Sequence, residues 1–171
     1  MEKKVFIVNG SGGVGKDTFC GFVGEYIHIL TVSSITPIKA VAKLLGWDGT
    51  KDEKSRKFLS DLKDVCTEYN DLPMDYLRFA HNMFIEGTED ISRGAMVLFI
   101  HIREPKEIER AVKEFNAKTI LIKSNRVPAV QGNHADENVM DYHYDFVINN
   151  NGTLDDLRKT AENFVYQLFR E

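Results

Sequence analysis

Two patterns of apolar and polar positions alternate along this chain. Residues 4–9 (KVFIVN), 95–102 (AMVLFIHI) and 118–123 (KTILIK) are short, nearly unbroken apolar runs. Runs without a polar face suit strands covered on both sides, which belong to parallel sheets. Residues 28–33 and 144–148 read as two further strands. Between the strands the period lengthens to that of a helix. Residues 16–28 carry Phe19, Cys20, Val23, Tyr26 and Ile27 on one face.

Pro37 opens a helix that Gly46 closes after Leu45, with Ile38, Val41, Ala42 and Leu45 on one side. Residues 52–69 form a longer amphipathic helix whose inward positions are Phe58, Leu59, Leu62, Val65 and Cys66. Residues 73–85 and 105–115 continue the series. Residues 154–169 close it, with Leu157, Ala161, Phe164, Val165 and Leu168 turned inward after an NNNGT turn. The alternation predicts an α/β fold of three layers, with a mainly parallel sheet of about five strands flanked by helices and residues 4–9 in its centre. Residues 34–90 then form a helical insertion within a single domain, 1–171. Residues 125–142 are polar and aperiodic, the pattern of a lid-like loop.

Composition narrows the function classes more than the fold. With 171 residues there is room for one core, and 43% hydrophobic with 28% charged residues suits a globular chain. The net charge of -4 is spread along the sequence, which argues against nucleic acid as a partner. The first residues run into too short an apolar stretch for a signal or a span, so no membrane partner and a cytoplasmic setting are expected. Cys20 and Cys66 lack ligand spacing and read as reduced thiols.

The chemistry is concentrated after the first strand. Gly10, Ser11, Gly12, Gly13, Val14, Gly15, Lys16, Asp17 and Thr18 (GSGGVGKDT) contain G-x-x-x-x-G-K between a strand and a helix. Glycines let backbone amides approach a β-phosphate, the helix N-terminus favours negative charge, and Lys16 can bridge the β- and γ-phosphates. Thr18 is placed for an α-phosphate. Asp17 stands where a Ser or Thr hydroxyl usually helps hold magnesium; its carboxylate can serve a hard cation or cap the helix.

The GKDT ending resembles the phosphate-binding loop of bacteriophage-type deoxynucleoside monophosphate kinases. Pro37 to Lys39, Arg103 with Glu107, Arg126, and the ending from Phe146 to Leu157 match further pieces of that pattern in order. Animal-type phosphomevalonate kinases share the Asp after the lysine. Two positions depart from the phage-type pattern: His101 replaces an Asp, and HADE at 134–137 puts Asp136 in place of a Ser.

The resemblance implies ATP as phosphoryl donor, Mg2+ as cofactor, and small-molecule nucleotides as partners, and leaves a homodimer open. It implies Lys16, Arg103 and Arg126 as the catalytic cations, with Arg126 reaching in from the lid. It also places Lys39, Arg56 and Arg103 around the acceptor. Arg103 follows a buried strand directly, so its guanidinium can fork onto phosphate at the ligand edge of the sheet. Lys63 and Arg78 are lesser candidates. The expected reaction gives ADP and a (deoxy)nucleoside diphosphate. A kinase of a non-nucleotide phosphorylated metabolite, and a nucleotide-binding regulator without turnover, remain as alternatives.

Overall fold

The computed structural model describes residues 2–87, 94–127 and 142–169. Five strands form one sheet: β1 (Lys4–Asn9), β2 (Ile29–Ser33), β3 (Val97–His101), β4 (Lys118–Lys123) and β5 (Phe146–Asn149). Their order is β2-β3-β1-β4-β5, and every pair is parallel. The central strand is β1, as its unbroken apolar run predicts. Its neighbours pair in register, Ile7 with Ile100 of β3 and with Thr119 of β4.

Among the described residues six helices accompany the sheet: α1 (Lys16–Gly24), α2 (Thr36–Leu44), α3 (Glu53–Asn70), α4 (Leu72–Glu86), α5 (Pro105–Phe115) and α6 (Leu154–Leu168). Successive side chains of a strand point to opposite faces, so each interior strand feeds two cores. Val5 and Ile7 join Leu98, Ile100 and Leu121 beneath α4 and α5. Phe6 and Val8 join Phe99, Ile120 and Ile122 beneath α1 and α6. On this second side Phe6 meets Phe164 at 5.2 Å and both Phe99 and Phe146 at 6.0 Å between ring centres. Burying a side chain of this size contributes about 1.5–3 kcal/mol.

Local signals place the helix ends. Thr153 and Asp156 form a reciprocal capping box at the start of α6. Pro105 occupies the first turn of α5, whose Ile108, Ala111 and Phe115 are buried one above another.

Three helices differ from their sequence reading. α2 ends at Leu44, and Leu45, expected inward, is 64% exposed just beyond it. α1 ends at Gly24, four residues before the expected limit, and Tyr26 is largely exposed instead of inward. In α3 only Ser55 is buried, and Val65 is 63% exposed. α3 packs mainly against α2 and α4 rather than on the sheet, and Phe58, Leu59, Leu62 and Cys66 of its apolar stripe are half-buried. Among the described residues no helix is long and apolar enough to cross a membrane. Residues 128–141, most of the lid-like loop with its HADE stretch, lie outside the described residues, as do 88–93.

Candidate active site

β1 delivers the chain to the middle of the sheet edge, where it must turn at once. Gly10 makes the turn at φ +145°, and a Cβ there would overlap the Ile122 carbonyl of β4. The preceding Asn9 is fully buried and uses both ends of its amide. Its Oδ1 accepts from the Gly10 amide at 2.7 Å, and its Nδ2 donates to the Tyr144 hydroxyl at 2.6 Å and the Arg103 carbonyl at 3.2 Å. One buried side chain thus ties the end of β1 to the segments flanking β3 and β5. Burial, partly offset by that Asn9 bond, raises the Tyr144 pKa above its ordinary value.

Gly15 closes the loop in the left-handed region, φ 96°, and α1 starts behind it with no side chain capping its first amides. A helix N-terminus turns N–H groups and positive dipole charge outward, a ready anion site. Lys16 Nζ lies back across the loop and donates to the carbonyls of Gly10 and, at 2.8 Å, Ser11. The ammonium therefore sits at the mouth of the loop that Gly12 and Gly13 complete. Val14 is buried under it, while Asp17 and Thr18 are exposed on the first turn of α1.

The Asp17 carboxylate is 98% exposed, with one oxygen 3.9 Å from Nε2 of His101 at the end of β3. Burial is the main force holding the His101 pKa below its usual value, with Lys16 and Arg103 adding to it and Asp17 opposing. An imidazole in that place adds no anionic ligand. Cys20 lies beneath it, Sγ 4.0 Å from Nε2, and burial with the Asp17 charge pushes its thiol up to about 12. A thiol held protonated is not a nucleophile. Among the described residues no three His, Cys, Asp or Glu side chains gather as a metal site. A single solvated carboxylate fits a hard cation that takes its remaining oxygens from water and phosphate.

The other expected cations occupy three different settings. Arg126 is brought to the loop: its Nη2 donates to the carbonyl and Oδ1 of Asn150 at 3.1 and 3.3 Å, and Asn150 Nδ2 donates to the Val14 carbonyl at 2.9 Å. Arg103 is half-buried two residues past the His101 that pairs with Val8 of β1, so it stands at the same sheet edge as the loop. Lys39 on α2 and Arg56 on α3 are exposed, and no side-chain hydrogen bond or ion pair among the described residues links either to the loop.

Arg78, one of the lesser candidates, is committed to structure. Its guanidinium holds Glu114 of α5 and bonds Asp75 at 2.6 Å. Lys63, in contrast, meets Glu107 at 2.6 Å with both side chains about 15% exposed, on the wall of a cleft of about 460 Å³. That cleft lies between α3 and the start of α5, where Glu104 and Pro105 directly follow Arg103. Sequence reasoning missed Asn9 and Asn150. Their only signals were an Asn ending an apolar strand and the NNNG run after the last one.

No family model and no curated protein matches the chain. Solved structures do resemble it in fold. TT1252 from Thermus thermophilus superposes with a TM-score of 0.54 at 16% identity, covering 98% of this chain and 99% of its own. The tunicamycin resistance protein of Deinococcus radiodurans gives 0.54 at 14% identity, covering 98% and 96%. A sugar kinase from Janibacter sp. HTCC2649 gives 0.53 at 9% identity, covering 96% and 95%. The expected three-layer α/β fold, with its parallel sheet of five strands, is present and is shared with these structures.

Proposed function

We propose that this chain is an ATP-dependent phosphotransferase that passes the γ-phosphoryl group to a (deoxy)nucleoside monophosphate, giving ADP and the diphosphate. The observation that carries the reading is the uncapped start of α1 behind a glycine loop, with the Lys16 ammonium at its mouth and Arg103 on the same sheet edge. Phosphoryl transfer asks a protein for position and positive charge, and these groups supply both.

The loop amides and the α1 dipole would hold the β-phosphate of the donor. Lys16 would leave the Gly10 and Ser11 carbonyls for the β- and γ-oxygens, where negative charge grows as the bond breaks. Asp17 would hold magnesium, which supplies charge neutralisation at the phosphate oxygens when bound. Arg126 would turn from Asn150 toward the transferring group. The acceptor phosphate would rest against Arg103, with its nucleoside toward the cleft that Lys63 and Glu107 line. Lys39 and Arg56, on the outer helices, would reach the acceptor only if those helices close over it.

His101 favours a second reading in one respect, since a catalytic edge without a carboxylate there suits a nucleotide-binding regulator. One experiment separates the readings: a thermal-shift screen of nucleoside monophosphates with an inert ATP analogue, followed by ADP release with each stabilising acceptor. Saturable, acceptor-dependent ADP formation is the expected result. Stabilisation by nucleotide without turnover would select the regulator, and turnover only with a non-nucleotide phosphorylated metabolite would move the acceptor class.

A further inference from the structure

The phosphate loop is held from outside as well as from within. A loop that turns its amides inward must turn carbonyls outward, and buried or half-buried carbonyls need donors. Lys16 satisfies Gly10 and Ser11 in this state, but a bound phosphate would draw it away. The Val14 carbonyl is satisfied differently, by Nδ2 of Asn150 at 2.9 Å from the turn after β5. That bond does not compete with a ligand for Lys16.

We infer that Asn150 is a positioning residue of the donor site, which locks the phosphate loop in its binding shape and docks the lid-root Arg126 beside it. The inference rests on the donor-site reading above and assigns a new residue to it. Three facts make Asn150 suited to the task. Its backbone amide donates to the Lys123 carbonyl at 2.8 Å, which extends the β4–β5 ladder and fixes its position. Its side-chain amide can face only one way, because Arg126 has donors alone and the Val14 carbonyl accepts alone. Finally, the side chain fills the space beside Gly15, where an added Cβ would lie 2.5 Å from Nδ2. Glycine at that position thus serves Asn150 as well as the left-handed turn.

The chemistry also explains why the residue is an amide. A carboxylate of the same size would keep the acceptor for Arg126 but present lone pairs to the Val14 carbonyl. An apolar side chain would lose both contacts. Asn150 therefore links three pieces distant in sequence: the loop at 10–15, the turn at 124–127 and the turn at 149–152.

The test measures ADP and AMP binding to the full chain and to two variants, Asn150→Ala and Asn150→Asp, by calorimetry, with folding checked by circular dichroism. AMP carries no β-phosphate for the loop, so it reports general damage. About tenfold weaker ADP binding in Asn150→Ala, with AMP binding unchanged, is expected. Asn150→Asp should lose at least as much and provides the measurement if the alanine variant does not fold. ADP binding within twofold of wild type, or an equal loss for ADP and AMP, overturns the role of Asn150. Absence of ADP binding in the wild-type protein would overturn the donor-site reading itself, a result distinct from either.

Discussion

The proposed donor side and the proposed acceptor side of this molecule are built by different means. Around residues 10–18 the backbone forms the site, and side chains such as Asn9 and Asn150 hold that backbone in shape. Around α2, α3 and α4 the backbone is ordinary helix, and side chains would form the site. Several of their charges are taken up by carboxylates of α4 and α5, as in the Lys63–Glu107 pair and the Arg78 cluster. A backbone site depends on a few glycines and one lysine in fixed spacing. A side-chain site depends on how separate elements come together, and it can change its ligand without changing the fold.

The comparison breaks most visibly at Lys16. Lys16→Ala should reduce turnover by about a hundredfold or more at saturating ATP, because it removes charge aimed at the transition state, while leaving the melting temperature nearly unchanged. Turnover close to wild type would show that the loop backbone is sufficient alone.

Arg103→Lys sharpens the contrast from the other side. An ammonium cannot reproduce the planar two-pronged contact, and one charge-assisted bond is worth ~1.5–3 kcal/mol, so kcat/KM for the acceptor should fall more than tenfold. The KM for ATP should stay within about twofold of wild type. Steady-state kinetics with each substrate varied in turn would reassign Arg103 to the donor if the ATP constant moved instead.

Gly15→Ala tests whether the donor backbone has any slack. The residue sits at φ 96°, and its new methyl would meet Asn150. Strain of about 1–3 kcal/mol should lower the denaturation midpoint and weaken ADP binding together. A normal midpoint with normal ADP affinity would mean that the loop tolerates a second shape.

The smallest effect belongs to Lys63→Met. This pair is mostly shielded from water, between the exposed pairs worth little and the fully buried ones whose disruption is severe. A stability loss of about 1 kcal/mol, with a several-fold rise in acceptor KM and no change for ATP, is expected. Unchanged acceptor KM would leave the cleft as a purely structural seam.

The same contrast explains what the sequence disclosed. The runs that became β1, β3 and β4 are apolar nearly throughout because both faces are covered, and nothing else competes with that reading. The glycine loop is local, so its place between β1 and α1 could be read directly. α3 misled because a 3.6-residue stripe says that one face is apolar but not what covers it; Val65 faces water. α1 stopped short because Gly24 ends it before Tyr26 and Ile27, whose spacing mimics another turn. The contact made by Asn150 was not legible because its partner Val14 lies more than a hundred positions away, and no local pattern encodes such a contact.

The central place of β1 has a consequence for how the molecule is made. Residues 4–9 leave the ribosome well before their two partners, residues 97–101 and 118–123. Until both have emerged, a nearly uncharged apolar segment has no sheet to enter, a situation that slows folding and invites misassociation. The Val14 carbonyl waits longer still, for residue 150. The first pocket residues to be synthesised are therefore among the last to acquire their final surroundings.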